Sequence, residues 1–368
     1  LMGQDFLGTA FGAQLQTVLK TSTEPVQSST SEEVIQAVNE GVVIKTFLGH
    51  GAVSATGFGL DDPSFFSHNG RYPLILSLGC LSGNVFDPQN SVSERFVLAE
   101  ESGSIGYIAS SGFGYAGTLA SFGRQIYTLL GGDMYGHGLG EIIRTIKEGA
   151  DQSASFPVRS LVQQLHLHAD PVLRLSNLPL PDYVIDYTST RHSPQSISST
   201  LDSLTVSFDL MNLGRHAGDT LLLRFERVAE SGGRMEWFDT VVAESSVQRV
   251  EEVVAVGGPA FRGENRLFVA IDPDDELAEG PLPWAEQNNM LERDDGLEGY
   301  VFFVENAGAH PVYPPPFAMV GSGPELLACL NDPLAEDQKY MLEIDTTARY
   351  DSPLRRSVVE GAEAGVLR

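Results

Sequence analysis

Apolar positions along the first half of the chain switch repeatedly between two spacings. "SEEVIQAVNEG" (31–41) repeats its apolar residues at three and four, opens on Ser and stops at Gly, which predicts a helix. "VVIKTFL" (42–48), "PLILSLG" (73–79) and "GSIGYIAS" (103–110) are short apolar runs bounded by turn residues and predict buried strands. Helical spacing returns in "SVSERFVLAE" (91–100), "LASFGRQIYTLLGG" (119–132) and "GLGEIIRTIKEGA" (138–150). Strands alternating with helices predict a mainly parallel sheet covered on both faces.

The pattern changes after "DPVLRLSNLPLPDYVID" (170–186), where prolines punctuate a linker. "SLTVSFDLMNLG", "TLLLRFERV", "EWFDTVVAE", "VQRVEEVVAV" and "NRLFVAIDPDDE" alternate apolar and polar residues, with Gly, Asn and Asp between them. That is the signal of an antiparallel sandwich. The last seventy residues, with "HPVYPPPFAMV", "PELLACL" and "YMLEIDTTARYDSPL", are again β-rich but too few to close a sandwich of their own. A chain of 368 residues exceeds one core. The expected units are 1–178 (α/β), 183–298 (all-β sandwich) and 299–368 (a partial β-rich segment).

Charge narrows the partners. The net charge is −26, with 9 basic and 16 acidic residues in 1–180 and 14 and 33 in the remainder. Such a surface repels phosphate backbones and anionic lipid, so nucleic-acid and membrane-surface binding are not expected. No apolar run is long enough to span a bilayer. The abrupt opening "LMGQDFLGTAFG" reads as a piece of a longer protein.

The two cysteines, Cys80 and Cys329, fall in different units and make neither a disulfide framework nor a zinc cluster. In a parallel α/β sheet, functional groups gather at the carboxyl ends of strands. His50 follows "VVIKTFL" and Cys80 follows "PLILSLG"; the thirty residues between them suffice for one crossover. An imidazole beside a thiol can activate it and protonate a leaving amine. Glycines flanking His50 permit unusual backbone angles, and the Gly51 and Cys80 N–H groups are candidate oxyanion donors. By spacing alone, Cys80 reads more readily as a small hydrophobe at a core edge than as half of a dyad. "YGHGLG" (135–140) repeats the tripeptide ahead of a helix, where His137 reads as a surface or capping residue.

The motifs together carry a resemblance. "FLGHGAVS", "LSLGCLSGNVFDP" and "SVSERFVLAEESGSIGYIASSGFGY", followed by "LHLHADPVLRLSNLPLPDY", resemble the catalytic part of gingipain-type cysteine peptidases. These are caspase-like enzymes of clan CD, and the group includes PorU-like sortases of type IX secretion. "MNLGRHAGDTLLLRFERV" with "NRLFVAIDPDDELAE" resembles the adhesion-like, immunoglobulin-type sandwich that follows such domains, and "MLEIDTTARYDSPL" a stretch found after it in secreted members. The turn "LSGNVFD" is one residue longer than in gingipains and nearer the sortase-like branch. The resemblance implies a caspase-like fold and a cysteine endopeptidase or transpeptidase acting on secreted polypeptides through a thioacyl-enzyme. In it Cys80 is the nucleophile, His50 the base and acid, and the Gly51 and Cys80 N–H groups the oxyanion donors. It also implies an extracellular or outer-membrane-associated location, secretion-system or cell-surface partners, and no cofactor. Ser111, Gly112, Phe113 and Tyr115 become substrate-pocket candidates, and with no acidic residue their loop gives no reason for Arg or Lys preference. The family's N-terminal subdomain is not in this chain, which bears on whether these residues alone turn over substrate. The rival expectation is an inactive peptidase-like surface protein whose sandwiches serve adhesion.

Other constellations read more plainly. Glu94, Glu100 and Glu101 read as solvated helix charge. His166 and His168 share one strand face without a third metal ligand. "DPDDELAE" (272–279) is rich in oxygen ligands, which leaves a structural calcium open, but it lacks the spacing of a helix–loop–helix site and resembles a hairpin turn. Trp237, Trp284, Phe302 and Phe303 read as sandwich core, and Cys329 as a buried, inert thiol.

Overall fold

A computed structural model describes residues 6–367 apart from 22–27, 58, 69, 152–154, 281–283, 293–297, 306–307, 316–317, 324, 331–337, 348 and 363–365. Its first part runs α1 (Ser28–Glu40), β1 (Ile44–Leu48), β2 (Leu74–Leu78), α2 (Val92–Leu98), β3 (Gly106–Ser110), α3 (Ala116–Gly131), α4 (Leu139–Asp151), α5 (Phe156–Gln164) and β4 (Leu165–His168). The sheet order is β1-β2-β3-β4, parallel except for the antiparallel β3–β4 pair. Strand residues alternate between two cores. Leu74, Leu76 and Leu78 pack beneath α3, α4 and α5 with Ile126, Ile142 and Leu161, while Ile75, Tyr107 and Ala109 pack against α1 and α2 with Val38 and Phe96. This is the expected α/β arrangement. The short helix α5 had no counterpart in the sequence reading.

Glu94 is not merely a solvated charge. Ser91 caps α2 through its Oγ, and the Glu94 carboxylate returns to the Ser91 N–H at 2.8 Å, a reciprocal capping box. The hydrogen bonds hold its carboxyl below the usual carboxylate range. The signal was already in "SVSE", a Ser followed three residues on by Glu.

The second part is a sandwich of β5 (Tyr183–Ser193), β6 (Ile197–Ser198), β7 (Ser203–Asn212), β8 (Thr220–Ala229), β9 (Arg234–Val242), β10 (Val247–Ala255), β11 (Gly263–Ile271) and β12 (Tyr300–Glu305). One sheet is β10-β7-β5 and the other β6-β12-β11-β8-β9, with inward residues such as Phe208, Phe225, Leu267 and Val304 between them. Because β12 pairs antiparallel with β11 from Gly263↔Val304 onward, strand pairing carries the sandwich past the expected boundary at 298. Residues 272–279 leave β11 for a loop rather than a hairpin turn, with the Asp272 carboxylate accepting from the Leu277 N–H at 2.7 Å. Among the described residues no group of three or more His, Cys, Asp or Glu is arranged to hold a metal. Trp237 stacks on Phe225 and Phe302 is buried, but Trp284 and Phe303 are exposed, a correction to their assignment as core. The register explains Phe303: with Phe302 turned inward, its neighbour faces outward.

The remaining strands are β13 (Ala309–Tyr313), β14 (Leu327–Leu330), β15 (Gln338–Ile344), β16 (Arg356–Ala362) and β17 (Val366–Leu367), forming sheets β13-β14-β17 and β15-β16. Residues 331–337 of this expected β-rich segment lie outside the described residues. Cys329, on β14, is half-exposed rather than buried. Residues 10–12 tie the first part to the sandwich: Ala10 N–H donates to Gly131 O, the Ala10 carbonyl accepts from His216 N–H at 2.8 Å, and that of Gly12 from Ser246 N–H at 2.6 Å.

One polar side chain sits against the grain of the α/β core. Lys45 of β1 places Nζ 4.1 Å from the Phe66 ring centroid and 5.3 Å from that of Phe96. Burial pushes its amine down to about 7, opposed in part by Asp61. Between that value and the ordinary lysine range the unfolded chain binds more protons, so stability rises with pH across this window and the penalty is complete below it. The residue keeps part of its surface in water, which limits this penalty. Lys45→Met is therefore expected to stabilise the fold at pH 6 by roughly 1–2 kcal/mol. Urea midpoints should show the gain shrinking towards pH 10; an equal gain at both pH values would contradict this account.

Candidate active site

β1 and β2 pair in parallel from Ile44↔Leu74 to Leu48↔Leu78, a constant offset of thirty. His50 and Cys80 each stand two residues past the carboxyl end of one of these paired strands. Three glycines let the ends converge. A Cβ on Gly51 would lie 2.7 Å from Cys80 O and 3.1 Å from Cys80 N; one on Gly79 would lie 3.4 Å from Gly51 Cα, and one on Gly49 2.9 Å from the Phe47 ring. Neither Gly49 nor Gly51 is left-handed, so the glycines beside His50 serve close approach, not the unusual backbone angles expected of them.

The loop after His50 is a small closed turn. Gly57 N–H donates to His50 O at 2.9 Å and Ala52 N–H to Ala55 O at 2.8 Å. Asp61 accepts from both the N–H and the hydroxyl of Thr56 at 3.2 Å, Arg95 reaches Ser54 O at 2.6 Å, and Lys20 reaches Gly57 O at 3.2 Å. Asp61 and Arg95 thus hold the turn that carries the imidazole. Sequence reasoning missed both, since nothing local marks a side chain that bonds a loop 5 or 41 residues away.

Cys80 is half-buried at the mouth of the sheet and His50 is exposed. The Gly114 N–H points at Cys80 Sγ at 3.5 Å, and the thiol faces Gly114 O at 3.8 Å. Among the described residues no hydrogen bond joins the imidazole to the thiol; such bonds are often long before substrate arrives. The Gly51 and Cys80 N–H groups donate no backbone hydrogen bond among the described residues. Leu81 takes a left-handed conformation (φ 59°) to turn the chain, and its N–H donates to Gly112 O at 3.0 Å, while Gly83 N–H donates to Ser110 O at 3.0 Å. Beneath the turn, the buried Ser77 and Ser82 hydroxyls share a 2.8 Å hydrogen bond.

The loop of the pocket candidates is braced from β4 and the end of α5. Ser111 donates from N and Oγ to Gln164 O at 2.8 and 3.1 Å, and His166 Nε2 lies 3.0 Å from Ser111 Oγ. Burial pulls both His166 and His168 below the ordinary imidazole range. Ser111, Gly112, Phe113 and Tyr115 accordingly belong to the loop that meets the thiol through Gly114. His137 stands apart in the loop before α4, exposed and 2.9 Å from Glu141 Oε2.

Residues 8–176 match the model of Peptidase family C25. Among solved structures, the Arg specific cysteine proteinase gingipain R matches at 15% identity with a TM-score of 0.37, covering 65% of this chain and 52% of that one. A complex of Porphyromonas gingivalis RgpB pro- and mature domains matches at 14% identity with a TM-score of 0.38, covering 65% and 53%. The chain therefore spans about half the length of these gingipain structures. A CARDB domain from Pyrococcus furiosus, in complex with di-metal ions, matches at 15% identity with a TM-score of 0.24, covering 37% of this chain and 97% of that one. No curated protein matches the chain.

Proposed function

We propose that this chain, whose residues 8–176 match the model of Peptidase family C25, carries the chemical centre of a cysteine endopeptidase or transpeptidase for secreted polypeptides. The observation that supports it best is the close approach past the paired ends of β1 and β2, where a Cβ on Gly51 would lie 2.7 Å from Cys80 O and 3.1 Å from Cys80 N, so that His50 and Cys80 stand on neighbouring segments. In this reading His50 takes the Cys80 proton and the thiolate attacks the scissile carbonyl. The oxygen's developing charge falls between the Gly51 and Cys80 N–H groups. Collapse breaks the C–N bond as the imidazolium returns its proton to the leaving amine. Water or an acceptor amine then attacks the thioester and frees the thiol. Ser111, Gly112, Phe113 and Tyr115 line the substrate side. The proposal takes 1–178 as the catalytic unit and the following sandwich as its companion. It places the parent outside the cytoplasm, and the longer turn after Cys80 favours the sortase-like branch with secretion-system partners.

Alkylation of the full chain with a labelled electrophile at neutral pH tests the dyad. Cys80 is expected to react at least tenfold faster than the half-exposed Cys329, and His50→Ala to remove the difference. Cys80→Ala is expected to abolish cleavage of a diverse peptide library. Equal, slow labelling at both thiols would instead favour a non-catalytic adhesive module.

A further inference from the structure

The loops that frame the thiol are unusual for so acidic a chain. Residues 48–57, 80–91 and 110–116 contain one charged side chain, Asp87, whereas the whole sequence carries 49 acidic residues. They expose large apolar groups instead. Phe86 is 77% exposed, Phe113 76% and Tyr115 58%, with Leu48 and Val85 also exposed. Exposed rings at this density mark a surface that something covers.

Their placement says what covers it. Phe113 and Tyr115 flank Gly114, whose N–H and carbonyl meet the Cys80 sulfur. Phe86 lies at the far end of the turn that begins at Cys80, and its ring centroid is 6.0 Å from that of His166, which meets Ser111 of the same loop. The turn and the loop are joined through Leu81–Gly112 and Gly83–Ser110 hydrogen bonds. The rings therefore stand on two hydrogen-bonded loops, one beginning at Cys80 and the other meeting its sulfur through Gly114.

We propose that this rim is a specificity surface for an extended peptide carrying a large apolar or aromatic side chain next to the scissile bond. The inference rests on the peptidase reading for the nature of the occupant and adds its side-chain class. An arginine or lysine side chain would lose hydration against Phe113 and Tyr115, and the one carboxylate these loops carry, Asp87, already accepts at Oδ1 from the Gln89 N–H at 3.0 Å. An apolar side chain loses nothing there and removes exposed ring surface from water.

Peptide binding to the full-length Cys80→Ala chain tests this without catalysis. Fluorescent hexapeptides identical except for one central Phe, Leu, Ala, Asp or Arg are titrated, and the Phe and Leu peptides are expected to bind at least tenfold tighter than the other three. A Phe86→Ser/Phe113→Ser double change with unaltered circular dichroism is expected to erase that preference. Arg binding as tightly as Phe, or a preference that survives the double change, would overturn the proposal. So would concentration-dependent self-association lost in the double variant without any peptide preference, since the rim would then seat a second copy of the chain. The two readings fail separately: apolar preference without any cleavage by the unmutated chain removes the peptidase, while cleavage without apolar preference removes only the rim.

Discussion

Replacing Gly51 with alanine is expected to lower peptide-bond turnover by roughly two to three orders of magnitude, the scale set by losing one oxyanion donor. The new Cβ would lie 2.7 Å from Cys80 O, 3.1 Å from Cys80 N and 3.3 Å from Gly79 C. All three atoms are backbone, so no rotamer change relieves the clash. One strand end must withdraw, moving the Gly51 N–H and the neighbouring His50 away from the thiol. Gly117 provides the control, because a Cβ there meets nothing within 4 Å and α3 gains a better helix former. Gly117→Ala should therefore leave turnover and Cys80 labelling unchanged. The measurement is kcat on a cleaved peptide with the labelling rate of Cys80 beside it. Turnover by Gly51→Ala within threefold of the unmutated chain would mean that the two strand ends do not work as one site.

The second large effect lies in the sandwich. Arg227 occupies an inward position of β8, where the alternation calls for an apolar residue, and it is fully buried. Its Nε donates to Asn265 Oδ1 at 2.8 Å, and its Nη1 donates to the carbonyls of Ala255 and Val256. The guanidinium carbon lies 4.5 and 5.1 Å from the ring centroids of Phe261 and Phe302. Ala255 ends β10 in the opposite sheet, so one side chain bonds both layers. Burial pulls the guanidinium down to about 10, still protonated at neutral pH. Arg227→Ala removes the donor, opens a cavity and strands buried acceptors, and is expected to cost roughly 3–5 kcal/mol. Arg227→Met fills the space without satisfying the oxygens and should fall between. Urea unfolding followed through Trp237, which stacks on Phe225 at 5.3 Å, reports on this sandwich. A midpoint unmoved in Arg227→Ala would show that the carbonyls find water instead.

Both variants mark places where local pattern and native environment part company. "TLLLRFERV" announces a strand whose alternate residues face a core, yet nothing in it says that the inward Arg227 meets Asn265 and the carbonyls of Ala255 and Val256 at the end of β10. Glu94 is the opposite case: Ser91 and Glu94 are three apart, the cap is local, and the sequence carried the signal without its being read. β12 falls beyond the expected boundary because 28 residues of sequence separate it from β11, and pairing across such a gap leaves no trace in spacing.

What the sequence determined by itself was the order of strands and helices, hence the parallel sheet and the sandwich, and the position of His50 and Cys80 past two strand ends. These follow from short-range rules, since periodicity and turn residues act within a few positions of one another. Only the tertiary structure decided that Gly51 must be small because a neighbouring backbone lies against it, that Asp61 and Arg95 hold the histidine turn, that Gly114 meets the sulfur, and that Phe86 and Phe113 stay in water around it. Each of these depends on the packing of segments tens of residues apart, and no single stretch of chain encodes a distance to a distant neighbour.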